Sequence, residues 1–238
     1  MLGPELETFK GNKVVMGLMI VLALGVYALG DFIATRPYSD ITVGGKIFML
    51  SFVIWPIFLF FWVKSVRVTL HSDGISYRTL FGEKEIRWDA LERFEYGAVK
   101  QSVNFVPVGT YYHVKLVDAD GKKIRFGNQV DSPGKVASKV IELSYPELYR
   151  KVVERFNNDQ ELDFGAIRVS RSGGVKVKKF FGGYREIPWA QVSSCDIRQG
   201  HFYIWSVGEK STRGPRLRQV PNAFVLLGLM NAVLKSNA

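Results

Sequence analysis

Asp73-Gly74-Ile75-Ser76-Tyr77-Arg78 leads through Leu80-Phe81-Gly82 to Glu85-Ile86-Arg87-Trp88, and Leu91 follows. Further along, Gly173-Gly174-Val175-Lys176-Val177-Lys178 leads through Phe180-Phe181-Gly182 to Glu186-Ile187-Pro188-Trp189, and Val192 follows. The offset is 100 at Gly74/Gly174, Phe81/Phe181 and Gly82/Gly182 and 101 at Ile86/Ile187 and Trp88/Trp189, so one inserted residue at Gly183 accounts for the slip. Self-similarity at a long period marks duplicated structural units, which predicts two related domains in tandem, over 66–161 and 162–238.

Around the first copy the side chains alternate with period two. Val66, Val68 and Leu70 alternate with Arg67, Thr69 and His71, a turn at Ser72-Asp73-Gly74 follows, and Ile75 and Tyr77 resume the pattern. Tyr112, Val114 and Leu116 alternate up to Asp118-Ala119-Asp120-Gly121, which closes a hairpin with 123–126. The period then lengthens. Ser132-Pro133-Gly134 predicts a helix start, with Val136, Val140, Ile141 and Leu143 at helical spacing, and Tyr145-Pro146 predicts a break before a second helical set ending at Phe156. The second unit repeats strands and then a helix in fewer residues, with Asn222 placed to cap a helix carrying Phe224, Leu227, Met230 and Leu234.

Ahead of both units the composition changes. Val14 to Gly30 and Ile47 to Val63 are each 17 residues without a charge. At about 1.5 Å per residue each run spans about 25 Å, the lower limit for a hydrocarbon core of about 30 Å. The expectation is a transmembrane hairpin over 1–65, with spans at about 14–33 and 47–63 and a linker from Thr35 to Gly45. Two other readings stand beside it: buried core helices, and a cleaved signal peptide ending at Ala28-Leu29-Gly30. Lys10, Lys13, Lys64 and Arg67 flank the pair and Arg36 and Lys46 lie between the runs, which favours both termini in the cytoplasm of an inner or plasma membrane. The single cysteine, Cys195, fits that side.

The net charge of +10 is unevenly placed. Residues 66–161 hold 15 Lys/Arg and 14 Asp/Glu, whereas residues 162–238 hold 12 and 4. Such asymmetry points the last unit toward something anionic. The candidate residues are Lys176, Lys178, Lys179 and Arg185 on strands, and Arg213, Arg216 and Arg218, with Lys210, in a Gly/Pro-bearing loop. A solvated strand face and a loose loop account for the same residues without a ligand.

Catalytic chemistry finds little support. His71, His113 and His201 are scattered, and no HExxH, CxxC, GxSxG or P-loop pattern occurs. Cys195 falls on an apolar-alternating strand and reads as a small buried side chain. Trp88 and Trp189 stand at equivalent places and read as core anchors of a sheet corner, with a ligand-stacking platform as the alternative. The expectation is no enzyme, no cofactor and no metal site. Phe202, Tyr203 and Trp205 are the only interleaved aromatics of the basic unit, too little to suggest nucleic acid.

Three pieces carry a resemblance: Asp163-Phe164-Gly165 with Val169-Ser170, the corner Ile187-Pro188-Trp189-Ala190-Gln191-Val192, and Val220-Pro221-Asn222. There the chain resembles an uncharacterised bacterial membrane-protein family with two N-terminal transmembrane helices and pleckstrin-homology-like β domains. That family brings no reaction, cofactor or binding residue. What the resemblance and the residues together imply is an α+β membrane protein: a two-helix transmembrane hairpin, then two tandem pleckstrin-homology-like antiparallel β units, each closed by a C-terminal helix. The expected role is non-enzymatic. In it an integral protein of the lipid bilayer uses its β units to bind a membrane-protein partner or anionic lipid headgroups at the surface. The alternative is a structural or assembly subunit acting through the hairpin.

Overall fold

The structure is a computed structural model and describes residues 2–34, 43–103, 106–179, 182–208 and 214–236; side chains of 29–34, 43–53, 100–103 and 106–109 are not described. The linker expected from Thr35 to Gly45 lies largely outside the described residues, as do Lys210 and Arg213.

The same element order occurs twice. In the first pass β1 (Glu5–Lys10), β2 (Arg67–His71), β3 (Gly74–Thr79) and β4 (Gly82–Arg87) form an antiparallel sheet in that order. A second sheet follows, of β5 (Leu91–Val103), β6 (Val106–Asp118) and β7 (Lys123–Gly127), and then α3 (Pro133–Asn157). In the second pass β8 (Leu162–Phe164), β9 (Ile167–Ser170), β10 (Gly174–Lys178) and β11 (Tyr184–Ile187) repeat the four-stranded sheet. A two-stranded sheet of β12 (Val192–Arg198) and β13 (His201–Ser206) follows, and α4 (Ala223–Ser236) closes the order. Where β7 would stand, the described residues hold one bridge, His201 to Arg216.

The first unit therefore begins at residue 5, ahead of the helices. β1 pairs with β2 from Glu5 opposite His71 to Lys10 opposite Arg67. Helices α1 (Lys13–Ala34) and α2 (Val43–Ser65) occupy the β1–β2 connection, which in the second sheet is only Gly165-Ala166. Asn12 starts α1, its Oδ1 accepting from the amide of Val14 at 2.9 Å. Its own amide donates to the carbonyl of Gln129 at 2.9 Å, and in the second unit Ala166 donates equivalently to Gln219 at 3.0 Å. The duplication thus extends from the quoted repeat to the approach of each closing helix.

The expected transmembrane hairpin is overturned: among the described residues no helix is long and apolar enough to cross a membrane. With it go the membrane fold class, the integral place in a bilayer and the inner- or plasma-membrane localisation. The physical reason lies in how the apolar runs are bounded: each is free of charge for only about 25 Å, the lower limit for a core of about 30 Å, although the helices themselves run on into charged residues. Asp31 closes the first run, Lys46 precedes the second, and Pro56 sits inside α2.

Gly74 and Gly174 recur because each strand start passes close to its neighbour. A Cβ would stand 2.6 Å from the carbonyl oxygen of Ile86 at Gly74 and 2.4 Å from that of Ile187 at Gly174. Behind these strands the core is continuous through both units. Val68, Leu70, Ile75, Ile86, Leu91, Leu116, Ile124 and Val140 join Ile167, Val175, Phe202, Leu226 and Met230. α3 does not break at Pro146, contrary to the expectation from Tyr145-Pro146. Its buried stripe of Val136, Val140, Ser144, Leu148, Val152 and Phe156 runs unbroken across the proline, so packing offsets the lost backbone bond.

Candidate functional site

β3 and β4 form a hairpin whose tip carries Leu80 and Phe81, and register places Tyr77 opposite Lys84. On β7 the alternation of Lys123, Ile124, Arg125 and Phe126 sends Ile124 and Phe126 into the core and turns Lys123 and Arg125 outward. The hairpin and β7 flank a cleft of about 550 Å³ lined by Tyr77, Phe81, Glu83, Lys84, Lys123 and Arg125, among others. Three cations from two strands thus meet one carboxylate.

None of the three is in a salt bridge among the described residues. Lys84 Nζ reaches only the carbonyl oxygen of Lys123, at 3.5 Å. Tyr77 forms the floor, its ring 6.3 Å from that of Phe126. Burial pushes its phenol above the ordinary range, against a hydrogen bond with Gln129 that lowers it, so the hydroxyl remains protonated at neutral pH. Cations in a concavity without an ion pair among the described residues present donors and a field that suit an anion.

The residues singled out in the basic unit do not converge in this way. Lys176 on β10 sits in a row with Asp163, Arg168 and Glu186 across four strands. It pairs with Glu161 at 2.8 Å and Glu186 at 3.7 Å, while Arg168 pairs with Asp163 at 3.1 Å and lies over the Tyr184 ring at 4.7 Å. The hydrogen bond to Glu161 raises the Lys176 pKa and holds that of Glu161 down. On that face both cations are held by acids, three carboxylates to two bases. Lys178 and Lys179 are exposed at the strand end. Arg185 stands opposite Val177, on the other face from Lys176, the place that Lys84 holds opposite Tyr77. Arg216 joins Arg198 and His201 in one cross-strand row, and Arg218 is exposed on the short helical turn Leu217–Gln219, its Cβ side toward Gly97 of β5. Arg213 lies outside the described residues.

Among the described residues no group of three or more His, Cys, Asp or Glu stands where it could hold a metal ion. His71 and His201 each engage a backbone carbonyl through Nδ1, of Gly3 and of Gly214, both at 2.9 Å. Burial, with Asp196 adding to it, pushes the Cys195 thiol up to about 11. Its Sγ donates to Asn231 Oδ1 at 3.5 Å. The thiolate that reacts is therefore scarce in the folded protein, and iodoacetamide at pH 8 should label it at least roughly a hundredfold more slowly than in denaturant. Equal rates in the two conditions would show the thiol to be accessible and ionised.

Both repeat tryptophans hold equivalent bonds. Trp88 Nε1 donates to the carbonyl of His71 at 3.2 Å and Trp189 Nε1 to that of Ser170 at 2.9 Å. Trp88 is buried, while Trp189 is half-buried and meets Phe156 of α3 edge-on at 6.1 Å.

Sequence reasoning did not find the cleft, since Lys84 lies 39 residues from Lys123 and the first unit is nearly neutral. The only local signal is the alternation Lys123-Ile124-Arg125-Phe126. No curated protein matches the chain. The family of unknown function DUF6585 matches over residues 1–238, and the chain belongs to that family.

Proposed function

We propose that this is a non-enzymatic binding protein whose first unit holds a phosphate-bearing anion in the cleft between the β3–β4 hairpin and β7. Both units follow the pleckstrin-homology-like order in this reading, and the second, with its net charge of +8 from 12 bases and 4 acids, adds a long-range field that draws anions in. The observation that carries the proposal is the convergence of Lys84, Lys123 and Arg125 on one concavity without an ion pair among the described residues. Lys176, by contrast, is held by Glu161 at 2.8 Å. The shared ligand chemistry is a phosphate group, supplied by a lipid headgroup or by a soluble phosphate ester.

The test uses the full chain with a soluble inositol polyphosphate, and with vesicles of phosphatidylglycerol mixed into phosphatidylcholine against phosphatidylcholine alone. Binding to the soluble ligand assigns a free phosphate ester, and binding to the mixed vesicles alone assigns a headgroup. Each cation near an anionic surface contributes about 1 kcal/mol, so Lys84→Gln, Lys123→Gln and Arg125→Gln together should weaken binding about a hundredfold. Salt of about 0.5 M should release the wild-type protein. Unchanged binding by the triple variant, with loss on replacing Lys176, Lys178, Lys179 and Arg185 by Gln, would move the site to the second unit and overturn the cleft.

A further inference from the structure

The cationic cleft does not end in water on every side. Phe81, at its rim, is 77% exposed, and its ring lies 6.4 Å from that of Phe58 on α2. Phe58 in turn stacks on Trp55 at 5.9 Å, and these two are 37% and 62% exposed. Ile54 and Ile57, next in sequence to Trp55 and Phe58 on α2, are exposed as well. Three aromatic rings therefore lead away from three cations, with Phe81 belonging to both groups.

Exposed apolar surface contiguous with a charged concavity marks a binding site rather than ordinary surface. A purely ionic ligand would leave the ring ladder wet, and a purely apolar one would leave Lys84, Lys123 and Arg125 without a counter-charge. We infer that the ligand is an anionic amphiphile, a phosphate-type head carrying an alkyl chain, with the head among the cations and the chain along Phe81, Phe58 and Trp55. This rests on the anion-binding reading and adds the chemistry of the rest of the ligand.

The experiment titrates the full chain with inorganic phosphate and with decyl phosphate kept below its micelle-forming concentration. Burying part of a ten-carbon chain should make decyl phosphate bind at least about tenfold more tightly than inorganic phosphate. Phe58→Ser with Trp55→Ser, neither of which lines the cationic cleft, should remove most of that gain and leave the affinity for inorganic phosphate unchanged. The Lys84, Lys123 and Arg125 to Gln variant should weaken both ligands by a similar factor. A brominated decyl chain should quench tryptophan fluorescence, and Trp55→Phe should remove that quenching, a readout of position that a merely destabilised variant would not give.

Equal affinity for the two phosphates would overturn the chain site and leave the anion site standing. Decanol binding as tightly as decyl phosphate would separate the two halves and overturn the amphiphile. Binding of neither phosphate would remove the anion reading itself. Concentration-dependent dimerisation abolished by Phe58→Ser would show that a second copy covers the ladder, which also overturns the inference.

Discussion

Trp88→Ala should lower the stability of the protein by about 3–5 kcal/mol, the range for truncating a large aromatic side chain in a well-packed core. Trp88 is 3% exposed and its main chain closes the corner from β4 into β5, its amide donating to Asp73 at 2.9 Å and its carbonyl accepting from Leu91 at 3.3 Å. Removing the indole opens a cavity in the core and strands the carbonyl of His71 that Nε1 now serves. Trp189→Ala should cost less, about 2–3 kcal/mol, since that ring is only half-buried and its loss is shared with Phe156 across the units. Urea midpoints at unchanged slope measure both. If Trp88→Ala were within about 1 kcal/mol of wild type while phosphate binding was lost, the indole would be part of a ligand platform instead.

The same tryptophans show what could be read from the chain. Their equivalence is local, carried by Gly74 and Gly174 and by a short apolar strand, so an eye for period two and for repeats finds them. β1 leaves little trace in the sequence because Glu5–Lys10 contains only Leu6 and Phe9 as large apolar residues, and its partner β2 lies beyond two helices. Pairing across such an insertion leaves no periodic trace. Absence of charge over 17 residues does not separate a crossing helix from one at the margin of length. The backbone rule alone predicts a break at Tyr145-Pro146, whereas the buried stripe on both sides of Pro146 decides the helix. The basic residues of the second unit were visible as composition, yet composition does not report pairing. Glu161, Asp163 and Glu186 neutralise Lys176 and Arg168 through the register of four strands. Conversely, the cleft of Lys84, Lys123 and Arg125 exists only once β4 and β7 are brought together.

Asn222→Ala should lower stability by about 3–4 kcal/mol, although the residue is small and only half-buried. Sequence spacing makes Asn222 the cap of α4, and its carbonyl does accept from Leu226 at 3.0 Å. Its side chain goes elsewhere: Oδ1 accepts from the amide of Phe94 at 2.8 Å and Nδ2 donates to the carbonyl of Glu92 at 2.7 Å. Its amide donates to the carbonyl of Phe94 at 2.7 Å. The residue that starts the last helix is thereby clamped to β5 of the first unit. Its φ of 53° is left-handed, which Asn tolerates and Ala resists by about 1 kcal/mol. Alanine loses two hydrogen bonds, leaves the buried Phe94 without its partner and takes on the strain. Asn222→Gly removes the strain and keeps the losses, so it should fall about 1 kcal/mol short of the alanine cost. Asn222→Asp keeps the acceptor for Phe94 but sets a carboxylate against the Glu92 carbonyl, and should cost an intermediate amount. Because the clamp joins the units, alanine should also loosen their cooperativity, seen as faster hydrogen exchange at the Phe94 amide and a separate early phase in urea unfolding of α4. Alanine and glycine variants both within about 0.5 kcal/mol of wild type, with Phe94 still protected, would show that the core alone holds the two units together.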